Sequence, residues 1–461
     1  MNVRRNWLIA GLIIVLVVIT GLISVRRSQR GSNDFDTYYK AGRAVIQGSG
    51  IYYVTEGNNV PPTEDHVSPF LYPPVAACFF AAFAVLPLSI ASFCWNALNV
   101  CFFFWALVLS WQIMQPRPPN LLTVFQRIPK FDAVLFVGIG FSCLIDNLAM
   151  AQVNILVFLL TVISIDFWRK KREFWGGVIL SCAILIKVTP ALFCLYFLVK
   201  RKPKFLAGTL AGGIVLTLLI PTLIFGMEGN RIYHRQWIGR NVKPLLINVI
   251  QYFKKEAPHP DKKTPEQIRM MHLTSNLLKV NQSLEATITR LFLKNRNQYG
   301  PERGYPTYVV RHYEKLPVIG GGVSLETLET GVRIFELCLL IGLMFLFLSV
   351  KAPAQAGEYL YPLEFSLIYL TMTLISPITR SQHMVVWLFP ILAAIWMNHC
   401  VPELIRVRSV MLLRTARTAC VIYFLQGLPY GQAIGMGTWA NLILWCGITT
   451  ALLQLNKTPQ N

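Results

Sequence analysis

Residues 6–25 read NWLIAGLIIVLVVITGLISV, a run without a charged side chain. As an α-helix it is long enough to cross a hydrocarbon layer about 30 Å thick. It continues directly into RRSQR (26–30) with no small-residue cleavage site, so the expectation is a retained helix, not a removable leader. Comparable runs recur at 73–87, 89–112, 131–147, 150–167, 174–199, 205–226, 331–350, 359–377, 384–400, 410–427 and 433–454, about twelve in all. Only 14% of the residues are charged and 54% are hydrophobic. Soluble domains carry about 25% charged residues. The fold class expected is an all-α polytopic membrane protein, a single integral membrane domain over 1–461.

The formal net charge of +21 fits juxtamembrane Lys and Arg, with anionic lipid headgroups as the expected partner. No recognisable nucleic-acid module accompanies that charge, and no nucleic-acid partner is expected. The ten cysteines are scattered, mostly within apolar runs, with no CxxC pair. They read as small buried hydrophobes. No metal-ligand spacing or nucleotide-binding glycine loop is present, so neither a cofactor nor a metal is expected.

Two segments interrupt the apolar pattern: 26–71, and the long polar stretch 228–330. With twelve crossings and the N-terminus inside, both lie on the outer face. KRKPK (200–204), residues 402–408 and Arg4/Arg5 then fall inside, as the positive-inside rule prefers, whereas WRKKR (168–172) falls outside. A broken, re-entrant hairpin at LIKVTP would return both basic flanks to one side, at the cost of one span more or fewer upstream. In the large loop, TPEQIRMMHLTSNLLKV (264–280) has a helix-start signature. NQSLEATITRLFLKNR (281–296) places Leu284, Ile288 and Leu291 on one helical face. Short helices over a cavity are expected there.

Five stretches contain residues suited to chemistry. In DFDTYYKAGRAVIQG (34–48), Phe35, Tyr38, Gly42, Val45 and Ile46 recur at helical spacing and Gly48 is a natural stop, which predicts an interfacial helix. Asp34 stands at its start, where it suits an N-cap or, at the rim of a wet cavity, a general base. FLYPPVAACFF (70–80) reads as a proline helix start with an aromatic belt. Asp146, Asn147, Gln152 and Asn154 interrupt an apolar region, either as interhelical glue or as a cavity lining. Lys187, in LSCAILIKVTPALF (180–193), sits mid-run, where a cation costs roughly 2.5–3.5 kcal/mol, beside a Thr-Pro helix loosener. Its partner is an anion such as a lipid phosphate, or an internal carboxylate. Arg380 and His383, in SPITRSQHMVVW (376–387), form a phosphate-donor pair or a merely basic loop.

The ordered set DFDTYYKAGRAVIQG, YPP, AQVN, AILIKVTP, NQSL....TR and SPI....H resembles glycosyltransferase family 87 over nearly the whole chain. These are polytopic enzymes of GT-C type that include polyprenyl-phosphate-mannose-dependent mannosyltransferases. The resemblance implies a helical bundle with interfacial helices in its outer loops and an active site on the extracytoplasmic side of a bacterial inner membrane. It implies a polyprenyl-phosphate sugar donor, a glycolipid or glycan acceptor, and inverting displacement. Asp34 matches the acceptor-activating acid, with Asp36 as second choice. Lys187, His383 and Arg380 match positions suited to the donor phosphate. Tyr38, Tyr72, Gln152, Asn154, Asn281 and Gln282 match cavity positions. The chain departs from the family pattern at Ala151, where a glycine is usual, and at Arg380 and Gln382.

A secondary transporter would share the helix count and the buried cation, but should show two corresponding halves. The single large loop is placed asymmetrically, which favours a transferase. A glycan polymerase or ligase using the same lipid-linked sugars is the other alternative.

Overall fold

The computed structural model describes residues 3–52, 70–114, 128–239, 280–294, 322–350, 357–401, 403–428 and 430–456. Every one of the expected apolar runs falls on helix. In chain order these are α1 (Val3–Gln29), α2 (Asp34–Gln47), α3 (Pro74–Ala84), α4 (Leu88–Met114), α5 (Lys130–Met150), α6 (Asn154–Arg169) and α7 (Glu173–Ile186). There follow α8 (Leu192–Val199), α9 (Pro203–Ile214), α10 (Ile220–Trp237), α11 (Leu284–Phe292) and α12 (Leu325–Ser349). The chain ends with α13 (Gly357–Leu374), α14 (Leu388–His399), α15 (Glu403–Leu425) and α16 (Met436–Asn456). No strand occurs among the described residues, and five helices there are long and apolar enough to cross a membrane. The helix expected over 264–280 lies outside the described residues.

The chain forms two compact units. The first comprises Met1–Leu109, Ser142–Ala191 and Pro203–Lys254. Within it, Ser92 Oγ hydrogen-bonds with Ser24 Oγ at 2.9 Å and Ser28 Oγ at 2.8 Å, while Asn96 Nδ2 donates to Thr20 O at 2.7 Å. This register makes α1 and α4 antiparallel neighbours, so the chain enters α4 at the end where it left α1. The expected crossing at 73–87 is therefore corrected. The 11 residues of α3 extend about 16 Å, roughly half a hydrocarbon layer, and α3 lies against α2 at that same end. Gly42 permits the approach: a Cβ there would sit 2.6 Å from Phe80 O.

A second correction concerns 174–199. Helix α7 ends at Ile186, Lys187 is extended (φ −141, ψ 134), and a 3₁₀ turn follows at Thr189–Ala191. A Cβ on Gly208 would collide with Phe174 O, and one on Gly212 with Ser181 Oγ, so α7 and α9 run parallel in close contact. Parallel neighbours require the chain between them to return to its starting end. The run is thus the folded-back hairpin, and WRKKR (168–172) and the start of α9 lie at one end.

The run 205–226 continues from α9 through a π-helical stretch, Val215–Leu219, into α10, which bends at Gly226 (φ 72). Asn230 Nδ2 donates to Thr217 O (3.2 Å), Leu218 O (3.3 Å) and Thr222 Oγ1 (2.8 Å), which folds the second half of α10 back. There Trp237 Nε1 donates to Leu71 O at 3.0 Å and Tyr233 OH to Ser49 O at 3.2 Å. These bonds fasten α10 over the segments flanking α2 and α3.

The second unit comprises Ser110–Phe141, Leu192–Lys202 and Lys255–Asn461. Two buried carboxylates organise it. Glu364 pairs with Lys200 at 2.6 Å and accepts from Tyr196 OH at 2.9 Å. Asp132 accepts from Arg417 through Nε at 2.6 Å and Nη2 at 2.9 Å, and lies 3.3 Å from His399 Nε2. Helix α11 differs from its predicted one-sided burial. Leu284 and Leu291 are buried, but so are Thr287, Thr289 and Arg290, whereas Ile288 is only half-buried. Polar tethers, not an apolar face, decide its setting.

Candidate active site

In the first unit the site begins with the N-terminus of α2. Two adjacent residues, Asn33 and Asp34, are both good caps. The cap is Asn33: its Oδ1 accepts from Asp36 N at 3.4 Å and from Ser28 Oγ at 3.0 Å. Asp34, expected as a cap on local grounds, is displaced by that tertiary bond and occupies the first turn. Its Oδ2 accepts from Gln152 Nε2. Asp36 turns elsewhere, to Lys40 Nζ at 2.8 Å, and is buried.

Beside Asp34, the Tyr38 and Tyr72 hydroxyls hydrogen-bond at 3.0 Å, with their rings edge to face at 5.3 Å. Burial, then the neighbouring phenol and the Asp34 carboxylate, push the Tyr38 hydroxyl well above its usual value. Burial chiefly, with Asp34 adding to it against the bond from Tyr38, pushes Tyr72 up to about 12. Both phenols thus stay protonated at neutral pH and are able to donate. Tyr52 OH, donating to Tyr72 O at 2.6 Å, fixes the YPP segment.

The junction between α5 and α6 supplies the remaining polar groups. Gln152 N donates to Asn147 O at 3.0 Å and Ala151 N to Leu148 O at 3.2 Å, closing α5. Ala151 is held at φ 50 with no surface exposed, in the left-handed region that costs a non-glycine residue about 1 kcal/mol. A glycine there would carry no such cost. Two residues after Gln152 comes Asn154, whose Oδ1 accepts from Lys187 Nζ. One short junction therefore holds the acid through Gln152 and the cation through Asn154. Of Asn147, Nδ2 donates to Cys143 O at 2.8 Å within its own helix.

In the second unit, Asn281 Oδ1 accepts from Ser283 N at 3.1 Å and Thr379 N at 3.0 Å, and its Nδ2 donates to Pro377 O at 3.1 Å. Gln282 Nε2 donates to Gln432 O at 2.7 Å, and its Oε1 accepts from Gly437 N at 3.2 Å. These two amides, expected to line a cavity, tie the NQSL segment to two other loops. Arg380 N donates to His383 Nδ1 at 3.0 Å, so a neutral His383 carries its proton on Nε2. Arg380 Nε is buried without a hydrogen-bond partner among the described residues. The expected site residues therefore form two groups. Asp34, Tyr38, Tyr72, Gln152, Asn154 and Lys187 belong to the first unit; Asn281, Gln282, Arg380 and His383 belong to the second.

The motif NQSL....TR includes an arginine to which sequence reasoning gave no role. Arg290 is fully buried and donates through Nη1 to Asn281 O at 2.6 Å, Nε to Ala433 O at 2.8 Å and Nη2 to Thr287 Oγ1 at 3.3 Å. Helical spacing puts Arg290 off the Leu284, Ile288 and Leu291 face, so the sequence carried no signal for its burial.

The class defined to this point is a helical membrane protein with an acid and a cation held at one helix junction. The model of glycosyltransferase family 87 matches residues 70–254, which carry YPP, AQVN and AILIKVTP, so the recognition made from the motifs stands for that segment. The chain is similar to a polyprenol-phosphate-mannose-dependent alpha-(1-2)-phosphatidylinositol mannoside mannosyltransferase of Mycobacterium tuberculosis, 30% identical over 203 residues, covering 40% of this chain and 44% of the relative. A protein of the same description from Mycolicibacterium smegmatis is 30% identical over 190 residues, 40% of this chain and 42% of the relative. A pentamannoside mannosyltransferase of the latter organism, also polyprenol-phosphate-mannose-dependent, is 25% identical over 233 residues, 50% of this chain and 53% of the relative. The chain spans about half the length of the curated relatives it matches. No solved structure matches it.

Proposed function

We propose that the protein is a GT-C-type hexosyltransferase that moves mannose from a polyprenyl phosphate to a glycolipid or glycan acceptor. The observation that carries this reading is the α5–α6 junction, which binds Asp34 through Gln152 and Lys187 through Asn154. A sugar-transfer site from a lipid phosphate needs a base for the incoming hydroxyl and positive charge for the departing phosphate, a short distance apart.

In the proposed reaction the acceptor oxygen forms a bond to C1 of the sugar as the bond from C1 to the phosphate oxygen breaks, with inversion. The acceptor proton passes to Asp34, and the electron pair of the broken bond leaves with polyprenyl phosphate. Phosphate is already a competent leaving group, so a cation suffices there and no second carboxylate is needed. Lys187 serves the phosphate. Tyr38 and Tyr72, held protonated, donate to sugar or acceptor oxygens. Asp36 is the less suitable base because Lys40 neutralises it. The chemistry assigns no step to a metal.

Charge distribution supports the outward setting of the site. Arg4 and Arg5 at the start of α1, WRKKR (168–172) and the start of α9 share the end of the first unit opposite Asp34. On this reading that end is cytoplasmic and the Asp34 end, where Arg26, Arg27 and Arg30 also stand, is extracytoplasmic, with anionic headgroups around the basic flanks.

Purified protein incubated with polyprenyl-phosphate [¹⁴C]mannose and membrane lipids should label a lipid or glycan product, in the presence of EDTA as in its absence. Solute counterflow in proteoliposomes without any such labelling would overturn the transferase reading in favour of transport.

A further inference from the structure

Asn154 holds an arrangement that interhelical glue does not explain. Its side chain is only 4% exposed, and its Oδ1 accepts from Lys187 Nζ. An ammonium group has no lone pair, so this bond fixes which side of the amide is oxygen and points Nδ2 away from the lysine. Nδ2 is buried and has no hydrogen-bond partner among the described residues. Buried amide donors are nearly always paired, and one left unpaired costs about 1–3 kcal/mol, so an orphan donor beside an intramembrane cation marks a place for an acceptor.

The backbone adds a second donor set. Asn154 is the first residue of α6, a helix of 16 residues, and the preceding Val153 has no side-chain cap. First-turn amides lack intrahelical acceptors, and the helix dipole places partial positive charge there. Lys187 arrives from the other side, at the extended break that ends α7. An ammonium, a buried side-chain amide and a helix N-terminus are thus neighbours at one junction.

We propose that Asn154, Lys187 and the first turn of α6 form a preorganised seat for a phosphate oxyanion. Resting on the transferase reading, the seat is assigned to the phosphate of the lipid-linked sugar and of the polyprenyl phosphate left behind. Asn154 is then a direct phosphate ligand through Nδ2, with Lys187 beside it supplying the positive charge.

The test measures binding, independently of turnover, with the full chain in detergent. Wild type should bind undecaprenyl phosphate at least about 10-fold more tightly than undecaprenol, a difference of about 1.4 kcal/mol. Asn154→Asp keeps the lysine contact but exchanges the donor for an anionic acceptor, and should abolish that preference. Competition by phosphatidylinositol or by inorganic phosphate that is lost in the same variant would equally support a phosphate seat, and would assign it to an acceptor headgroup or a free ion. An unchanged phosphate preference in a folded Asn154→Asp variant would overturn the proposal. Should that variant fail to fold, Lys187→Gln, which still donates to Asn154, decides: an undiminished preference overturns the seat. Phosphate binding that depends on Asn154 without any sugar transfer would remove the transferase reading and leave the seat standing. Sugar transfer with normal lipid-phosphate binding in both variants would do the reverse.

Discussion

Replacing Asp34 with Asn is expected to lower the rate of sugar transfer by about 10²–10⁴-fold, while polyprenyl phosphate binds within about threefold of its wild-type affinity. The split between rate and binding follows from position. Asp34 touches Gln152 and stands beside Tyr38 and Tyr72, whereas Lys187 is held by Asn154. The substitution preserves shape and leaves the cap intact, because the cap is Asn33. The amide introduced in place of the carboxylate has no basic lone pair with which to take a proton, so the acceptor hydroxyl must attack undissociated. Asp36→Asn supplies the contrast. It removes a buried partner of Lys40, which reduces stability but leaves transfer within about threefold. Full activity in Asp34→Asn together with its loss in Asp36→Asn would exchange the two assignments.

The largest expected effect on folding is at Arg290. Its guanidinium donates to the carbonyls of Asn281 and Ala433 and the hydroxyl of Thr287, and no part of the residue is exposed. Arg290→Met would fill much the same volume but remove the charged donor from the buried carbonyls of Asn281 and Ala433, while Thr287 keeps its bond with Thr438. Charge-assisted hydrogen bonds contribute about 1.5–3 kcal/mol each, so the loss should reach at least about 3 kcal/mol. That is a large part of the roughly 5–15 kcal/mol typical of a domain. Thermal unfolding of the detergent-solubilised protein should show a clearly lower midpoint, with Arg290→Lys intermediate. A midpoint equal to wild type would mean that the NQSL segment is held by other means.

Helices were readable wherever the chain was apolar, because hydrocarbon-length runs admit little else. What those runs do was not readable. An 11-residue helix such as α3 has the same hydropathy whether it crosses or lies flat, and its path is set by Ser92 and Asn96 joining α1 to α4. The hairpin at Lys187 was foreshadowed by charge distribution, but its return depends on α9 packing against α7 at Gly208 and Gly212, a contact absent from any local pattern. The end of α2 at Gly48 was legible because glycine alone suits φ 64 so readily. Its start was not, because Asn33 and Asp34 are equivalent caps until Ser28 selects between them. Asp34, Tyr38 and Tyr72 were found through residue type and order. The pairing of Gln152 with Asp34 joins residues 118 positions apart, and only the fold discloses it.

The most direct measurement is a cryo-electron microscopy structure with polyprenyl phosphate bound. The account predicts phosphate oxygens within about 3 Å of Lys187 Nζ and Asn154 Nδ2, with Asp34 facing the neighbouring acceptor space. A lipid phosphate seated away from the α5–α6 junction, with Lys187 still directed only at protein, would contradict it.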